Sequence, residues 1–286
     1  MSLALIIPDC HLKPLMFDLA EDILEAGQAD FAVQLGDLVD DWGQEFNLPL
    51  YSRTMERVLK FYKKHPNTLW CMGNHDFGYY HPDFGRRETG HSKFVEGEMK
   101  TWLDEFKRAG LVQKPVHIVD NCVFSHAGLT EDWMQRQLTL VGFPYLEKAP
   151  VEENILRIAN NAATDELWLE SSPIWARPQM DHYDMYCPDR LQVVGHTPMH
   201  EVKEEDGILS TDVFSTNATG YFLGSKQFVI VDTITKEWKL TDEDRYTLSP
   251  EEVEITVQRL AMHDFMRRAE EKGTDKKEVK DERQTN

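Results

Sequence analysis

The chain has 286 residues, 41% of them hydrophobic and 28% charged, enough for one large α/β domain or two small ones. Its formal net charge of −19 argues against broad, sequence-independent nucleic-acid binding, which needs lysine and arginine to displace counterions. It has no run of 18 apolar residues, and its first residues enter a strand-like run without a basic leader, so a soluble cytoplasmic protein with no membrane partner is expected.

Residues 3–8 (LALIIP) are continuously apolar, as in a strand buried on both faces. Phe17, Ala20, Ile23 and Leu24 then recur at helical spacing, and Gly27 supplies a stop. A second strand is predicted over 31–35. A second helix carries Met55, Val58, Leu59 and Tyr62, with Pro66 past its end. Residues 69–72 read as a strand, and Met99, Trp102, Leu103 and Phe106 as a helix closed by Gly110. A hairpin is predicted over 116–125, turning at Asp120 and Asn121. Residues 131–185, which hold Trp168 and Trp175, read as a helical and irregular insertion. Strand signals return at 191–194, 208–211, 228–232 and 238–240, and a last helix is predicted over 250–268. Eleven of the eighteen residues from 269 to 286 are charged, so that tail is expected to be disordered and the folded domain to span 1–268. The four cysteines, Cys10, Cys71, Cys122 and Cys187, are widely separated and suit neither a disulfide framework nor a zinc ribbon.

The residues that end each strand carry the chemistry. The apolar runs terminate in Asp9-Cys10-His11, Gly36-Asp37-Leu38-Val39-Asp40, Gly73-Asn74-His75-Asp76, His126-Ala127-Gly128 and Gly195-His196-Thr197-Pro198. Ligands of open α/β sheets bind at the carboxyl ends of the strands. Carboxylate, amide and imidazole donors together suit Mn²⁺, Fe, Zn²⁺ or Mg²⁺, and a shared carboxylate can hold two cations in one site. A lone D-x-H recurs by chance, and G-D-x-x-D is little more specific. G-N-H-D directly after an apolar strand is rarer, and the ordered set is hard to explain as satisfied core polar groups. The glycines before Asp37, Asn74 and His196 are read as permitting sharp turns.

In this order the motifs resemble the calcineurin-like metallophosphoesterase superfamily, over residues 5 to about 240. The resemblance implies an α/β fold, a four-layer α/β/β/α sandwich of two mixed sheets. It also implies a phosphoesterase with two divalent metal ions, Mn²⁺ being the expected pair. By that resemblance Asp9 and His11 hold the first metal, Asp37 bridges both, and Asn74, His126 and His196 hold the second. His75 matches the histidine on the leaving-group side and Asp40 the carboxylate that orients it, while a metal-bridging water attacks phosphorus in line.

Pro198 and the segment from Ser172 to Arg177 resemble the branch of bacterial and phage Ser/Thr protein phosphatases and symmetrical diadenosine tetraphosphatases, whose matching arginine, here Arg177, binds substrate phosphate. The implied partner is a phosphorylated substrate: a phosphoprotein, a nucleotide or a dinucleoside polyphosphate. One departure stands out: Asp41 replaces the arginine of that branch's G-D-x-V-D-R-G motif. Trp42 is read as either a cover for the site or a core residue, Arg86 and Arg87 as solvated surface residues rather than replacements for the missing cation, and His200 as a bystander. A metal-bound scaffold without catalysis is the competing function; it has no need of the His75–Asp40 pair.

Overall fold

A computed structural model of the chain describes residues 2–87, 90–142 and 152–241. The helix expected over 250–268 and the charged tail lie outside the described residues.

In chain order the elements are β1 (Leu3–Ile7), α1 (Leu15–Glu25), β2 (Phe31–Gln34), α2 (Leu48–Lys64), β3 (Leu69–Trp70), α3 (Asn74–Tyr80), α4 (Pro82–Gly85) and α5 (Glu96–Ala109). There follow β4 (Val116–Val119), β5 (Cys122–Ser125), α6 (Glu131–Leu140), α7 (Glu152–Ala159), α8 (Thr164–Leu167) and α9 (Pro178–Asp181). The last are β6 (Leu191–Val194), β7 (Lys203–Glu205), β8 (Ile208–Ser210), β9 (Val229–Asp232) and β10 (Trp238–Leu240).

The strands form two mixed five-stranded sheets, ordered β10-β9-β1-β2-β3 and β4-β5-β6-β8-β7. Within each sheet the three consecutive strands β1-β2-β3 or β5-β6-β8 are parallel, and their outer neighbours run antiparallel. The core explains the layering. One apolar cluster joins Ile6 and Val33 of the first sheet to Phe124, Val193 and Leu209 of the second, together with Met16 of α1, Met55 of α2 and Met99 of α5. A second cluster joins Val123 to Trp133 of α6 and Ile155 of α7. Cys122 and Phe124 lie in the first cluster and Val123 in the second, the alternation a strand imposes when both faces are covered. The order is therefore helices, sheet, sheet, helices.

The predicted strands are present with ends shifted by no more than two residues. Two elements differ in kind. Lys203–Glu205 forms an edge strand although all three residues are exposed, because backbone pairing with β8 holds it without any apolar signal. Asn74 begins a helix, so the G-N-H-D segment is a strand-to-helix turn rather than a free loop.

Candidate metal centre and cleft

The parallel strands β1, β2, β5 and β6 deliver Asp9, Asp37, His126 and His196 to the same edge of the two sheets, where these side chains are buried. Asn74 joins them from the start of α3 and His11 from the turn after β1. Five non-glycine residues of these turns have positive φ: His11 (42°), Leu12 (60°), Asp37 (52°), Asp40 (58°) and His196 (62°). Such conformations cost about 1–3 kcal/mol each and persist only where the surroundings enforce them. Only one of the three motif glycines turns the chain in this way: Gly36, at φ +102°. Gly73 and Gly195 are needed for space instead, since a Cβ on either would overlap Asp37 Oδ1 or Asp9 Oδ1. That corrects the expectation that all three permit sharp turns.

The donors converge in two groups that share Asp37. Ligand atoms of Asp9, His11 and Asp37 lie within 4.8 Å of one another, and so do those of Asp37, His126 and His196. The ring tautomers follow from the partners. His126 Nδ1 faces the Leu35 carbonyl at 2.9 Å, and His11 Nδ1 faces the carbonyls of Asp40 at 2.8 Å and Val39 at 3.2 Å. A carbonyl only accepts, so both Nδ1 atoms carry protons and both Nε2 atoms of the neutral rings present lone pairs. His126 Nε2 then meets Asn74 Oδ1 at 2.9 Å, His196 Nδ1 at 3.1 Å and Asp37 Oδ2 at 3.3 Å. His11 Nε2 lies 3.9 Å from Asp9 Oδ2 and 3.7 Å from Asp37 Oδ2. A proton on His126 Nε2 satisfies at most part of this cluster of acceptors. Divalent cations match the oxygen and nitrogen donors and their spacing, so the residues present fit a metal.

The local field points the same way. Burial opposes a charge on His126, yet Asp37 and Asp9 outweigh it and push the imidazole up to about 9. Burial also works against Asp37, but His126, His75 and His11 hold its carboxyl well below the usual range. Asp9 is raised by burial and by the negative charge of Asp212, a buried residue after β8 that no motif signalled. Burial and the charge of His126 lower His196 far below an ordinary imidazole. The pocket thus concentrates negative charge and favours a positive one within it.

His75 lies beside this centre without entering either three-donor group. Its backbone N–H donates to Asp37 Oδ1 (3.0 Å), and its ring Nδ1 meets Asp40 Oδ2 at 3.0 Å. The other oxygen of Asp40 accepts hydrogen bonds from Tyr51 (2.6 Å) and Tyr79 (2.5 Å). Asp76 ties the neighbouring turns together by accepting from the Leu38 and Gly73 amides and from Gln113 Nε2.

A cleft of about 730 Å³ opens over these residues. His11, Asp37, Asn74, His75 and His196 form its floor, and the 131–185 stretch supplies Trp168, Trp175 and Arg177 to its wall. Arg177 donates through Nη1 to the His196 carbonyl (3.2 Å) and Thr197 Oγ1 (3.4 Å). Trp42 is 53% exposed and lines the cleft, so it belongs to the rim and not to the core. Arg87 also lines the cleft, over the Phe84 ring, whereas Arg86 pairs with Glu96. His200 is exposed, meets the Leu223 carbonyl and joins neither donor group. Asp41 accepts from Thr216 Oγ1 (2.8 Å) and lies 3.6 Å from the buried ammonium of Lys13.

The calcineurin-like phosphoesterase family model matches residues 4–224, which include every donor of the centre. The chain belongs to this family. This calcineurin-like phosphoesterase is a metal-dependent hydrolase of phosphate esters. Solved structures with a similar fold include a protein serine/threonine phosphatase from Saccharomyces cerevisiae, at 12% identity over 87% of this chain and 82% of that one, TM-score 0.52. A cold-active protein-tyrosine phosphatase of a psychrophilic Shewanella is 16% identical over 85% and 81% of the two chains, TM-score 0.45. A metallophosphoesterase from Sphaerobacter thermophilus is 14% identical over 91% and 98%, TM-score 0.40. No curated protein sequence matches the chain. Among the described residues, no helix is long and apolar enough to cross a membrane.

Proposed function

We propose that this phosphoesterase holds two divalent cations, Mn²⁺ by preference, and hydrolyses a phosphate ester whose leaving oxygen is protonated from His75. The observation that carries the reading is the sharing of Asp37 by two three-donor groups, with His75 directly beside them and facing the cleft. Asp9, His11 and Asp37 would hold one cation; Asp37, Asn74, His126 and His196 the other. Bound there, the cations supply Lewis-acid polarisation of the phosphoryl oxygens and a lowered pKa for coordinated water.

The chain's own residues do the rest. Asp37 sets the separation of the two halves of the centre because both are built on it. Arg177, held at one end by the His196 carbonyl, offers a planar cation to phosphate oxygens in the cleft. Asp40 accepts from His75 Nδ1, and in the doubly protonated ring this turns the remaining Nε2–H toward the leaving oxygen. That nitrogen donates the proton the leaving alkoxide needs, a contribution of typically ~10²–10⁴-fold. A pure scaffold has no use for such a pair. The cleft is far larger than a phosphate group, which supports a substrate with a bulky leaving group: a phosphoprotein, a nucleotide or a dinucleoside polyphosphate.

The test is a metal-reconstituted panel of p-nitrophenyl phosphate, bis-p-nitrophenyl phosphate, phosphopeptides and diadenosine tetraphosphate. Chelation is expected to abolish hydrolysis and Mn²⁺ to restore it. Full activity in excess EDTA, with metal removal verified, overturns the mechanism.

A further inference from the structure

Asp40 is the hub between the two sides of the site. Its backbone carbonyl accepts from His11 Nδ1 (2.8 Å), on the metal side, and its carboxylate Oδ2 meets His75 Nδ1 (3.0 Å), on the leaving-group side. A carboxylate on a single Cβ can rotate about two bonds, so the aim of Oδ2 depends on what holds Oδ1. Two phenols hold it. Tyr51, fully buried on α2, donates at 2.6 Å, and Tyr79, buried on α3, donates at 2.5 Å.

The Tyr79 oxygen also accepts the Ser92 amide (3.1 Å), so its own proton is committed to Asp40. The two rings meet edge to face at 6.5 Å, which fixes both hydroxyls relative to each other. Burial, and the Asp40 charge beside them, raise both phenols well above their ordinary range, so both keep the protons they donate. Neither tyrosine lines the cleft.

We propose that Tyr51 and Tyr79 are positioning residues for the reaction: by donating to one oxygen of Asp40 they aim its other oxygen at His75. The proposal rests on the reading of His75 as the proton donor. It differs from a plain core role, in which a buried hydroxyl merely finds the nearest acceptor and its loss affects stability alone.

The test uses full-length Tyr51→Phe, Tyr79→Phe and the double variant, in the parent and in a His75→Asn background. Metal content, thermal stability, kcat and KM are measured with p-nitrophenyl phosphate and with phenyl phosphate, whose leaving group is poorer. The double variant is expected to lose about 10- to 100-fold in kcat on phenyl phosphate, the size of loss seen when an outer-shell partner is removed. On p-nitrophenyl phosphate the loss is expected to be several-fold smaller, with KM and metal content unchanged. In the His75→Asn background the same substitutions are expected to add nothing, because they act through the missing ring. If the double variant does not fold, Tyr51→Phe alone carries the test.

Equal losses on both substrates, or undiminished losses without His75, overturn the positioning role, as does a change confined to stability. The two failures separate cleanly. If His75→Asn itself slows both substrates equally, the reading of His75 as proton donor fails; if it slows phenyl phosphate selectively and the tyrosine variants do not, only the tyrosine proposal fails.

Discussion

The set of turns after β1, β2, β3, β5 and β6 and the segment carrying Trp168, Trp175 and Arg177 both line the cleft, and they are built on opposite plans. The turns are short and strained, and hydrogen bonds fix the direction of several of their donors: carbonyls pin two histidines, and amides pin Asp9 and Asp76. The second segment lies among short helices, of four residues at Thr164–Leu167 and Pro178–Asp181, and presents Trp168, Trp175 and Arg177. Edge-to-face aromatic contacts hold it, with Trp168 and Trp175 at 5.2 Å and Trp175 against the His196 ring at 5.9 Å. Strained, pre-aimed donors cost stability and suit a centre whose geometry cannot vary. On the proposed function, the first region would carry the chemistry and the second would meet the leaving group.

The sharpest way to break that division is to remove the residue on which the first region depends. Asp37→Asn is expected to reduce hydrolysis to the assay background and to lower metal content, whereas Asp9→Asn, which touches only one donor group, is expected to leave measurable activity. Rate assays paired with elemental analysis check this. An Asp37→Asn protein that keeps both metals and a near-parent rate shows that Asp37 is not shared and that the centre is organised around another residue.

The same contrast governs how much could be read from the sequence. Asp9, His11, Asp37, Asn74, His126 and His196 each lie within four residues of the end of an apolar run, so a strand signal and a donor residue occur together in the chain. Their convergence then follows from parallel pairing, which aligns carboxyl ends at one edge. Tyr51 and Tyr79 carry no such mark. Tyr51 sits on the buried face of a helix among Leu50, Met55 and Val58, at a spacing that only says core, and its hydroxyl matters because α2 packs beside the turn holding Asp40. Asp212 follows an apolar strand too, but it stands alone, without the glycine or histidine that made the other strand ends recognisable. Arg177 was legible through the resemblance, while the companionship of Trp168 and Trp175 over the same cleft depends on how the short helices fold back.

A smaller effect tests the second region directly. Arg177→Ala is expected to lower kcat/KM for phosphomonoesters by about 10- to 100-fold, the cost of losing one or two charged hydrogen bonds. The change is expected mainly in KM if the contact serves ground-state binding and in kcat if it tightens in the transition state. Metal content is expected to stay unchanged, since the guanidinium hydrogen-bonds the His196 carbonyl and Thr197 Oγ1 and no donor atom of the centre. Unaltered steady-state kinetics remove Arg177 from the substrate's path and leave it as a tie between the wall and the β6 turn.

The smallest expected effect falls at Asp41, which belongs to the first region by sequence and lines the cleft by position. The branch resembled by the sequence has a phosphate-clamping arginine there, so an acid at this place reads as a loss of substrate affinity. Its surroundings suggest another use. Oδ1 accepts from the Trp42 amide (2.9 Å) and from Thr216 (2.8 Å), and Oδ2 faces Lys13, whose side chain is 6% exposed and also donates to the His11 carbonyl. Asp41 therefore connects the turn after β1, the turn after β2 and the segment containing Thr216. Asp41→Asn keeps a carbonyl oxygen for the first two bonds but removes the carboxylate that faces the buried Lys13 ammonium, leaving the more distant Asp212 charge. The expected outcome is a loss of about 1–3 kcal/mol in stability, or a Tm lower by roughly 2–10 °C, with kcat/KM within about threefold of the parent. Thermal melts beside steady-state kinetics read both quantities. A tenfold change in rate without a change in Tm places Asp41 among the groups that meet the substrate, and moves the boundary between the two regions to the β2 side of the cleft.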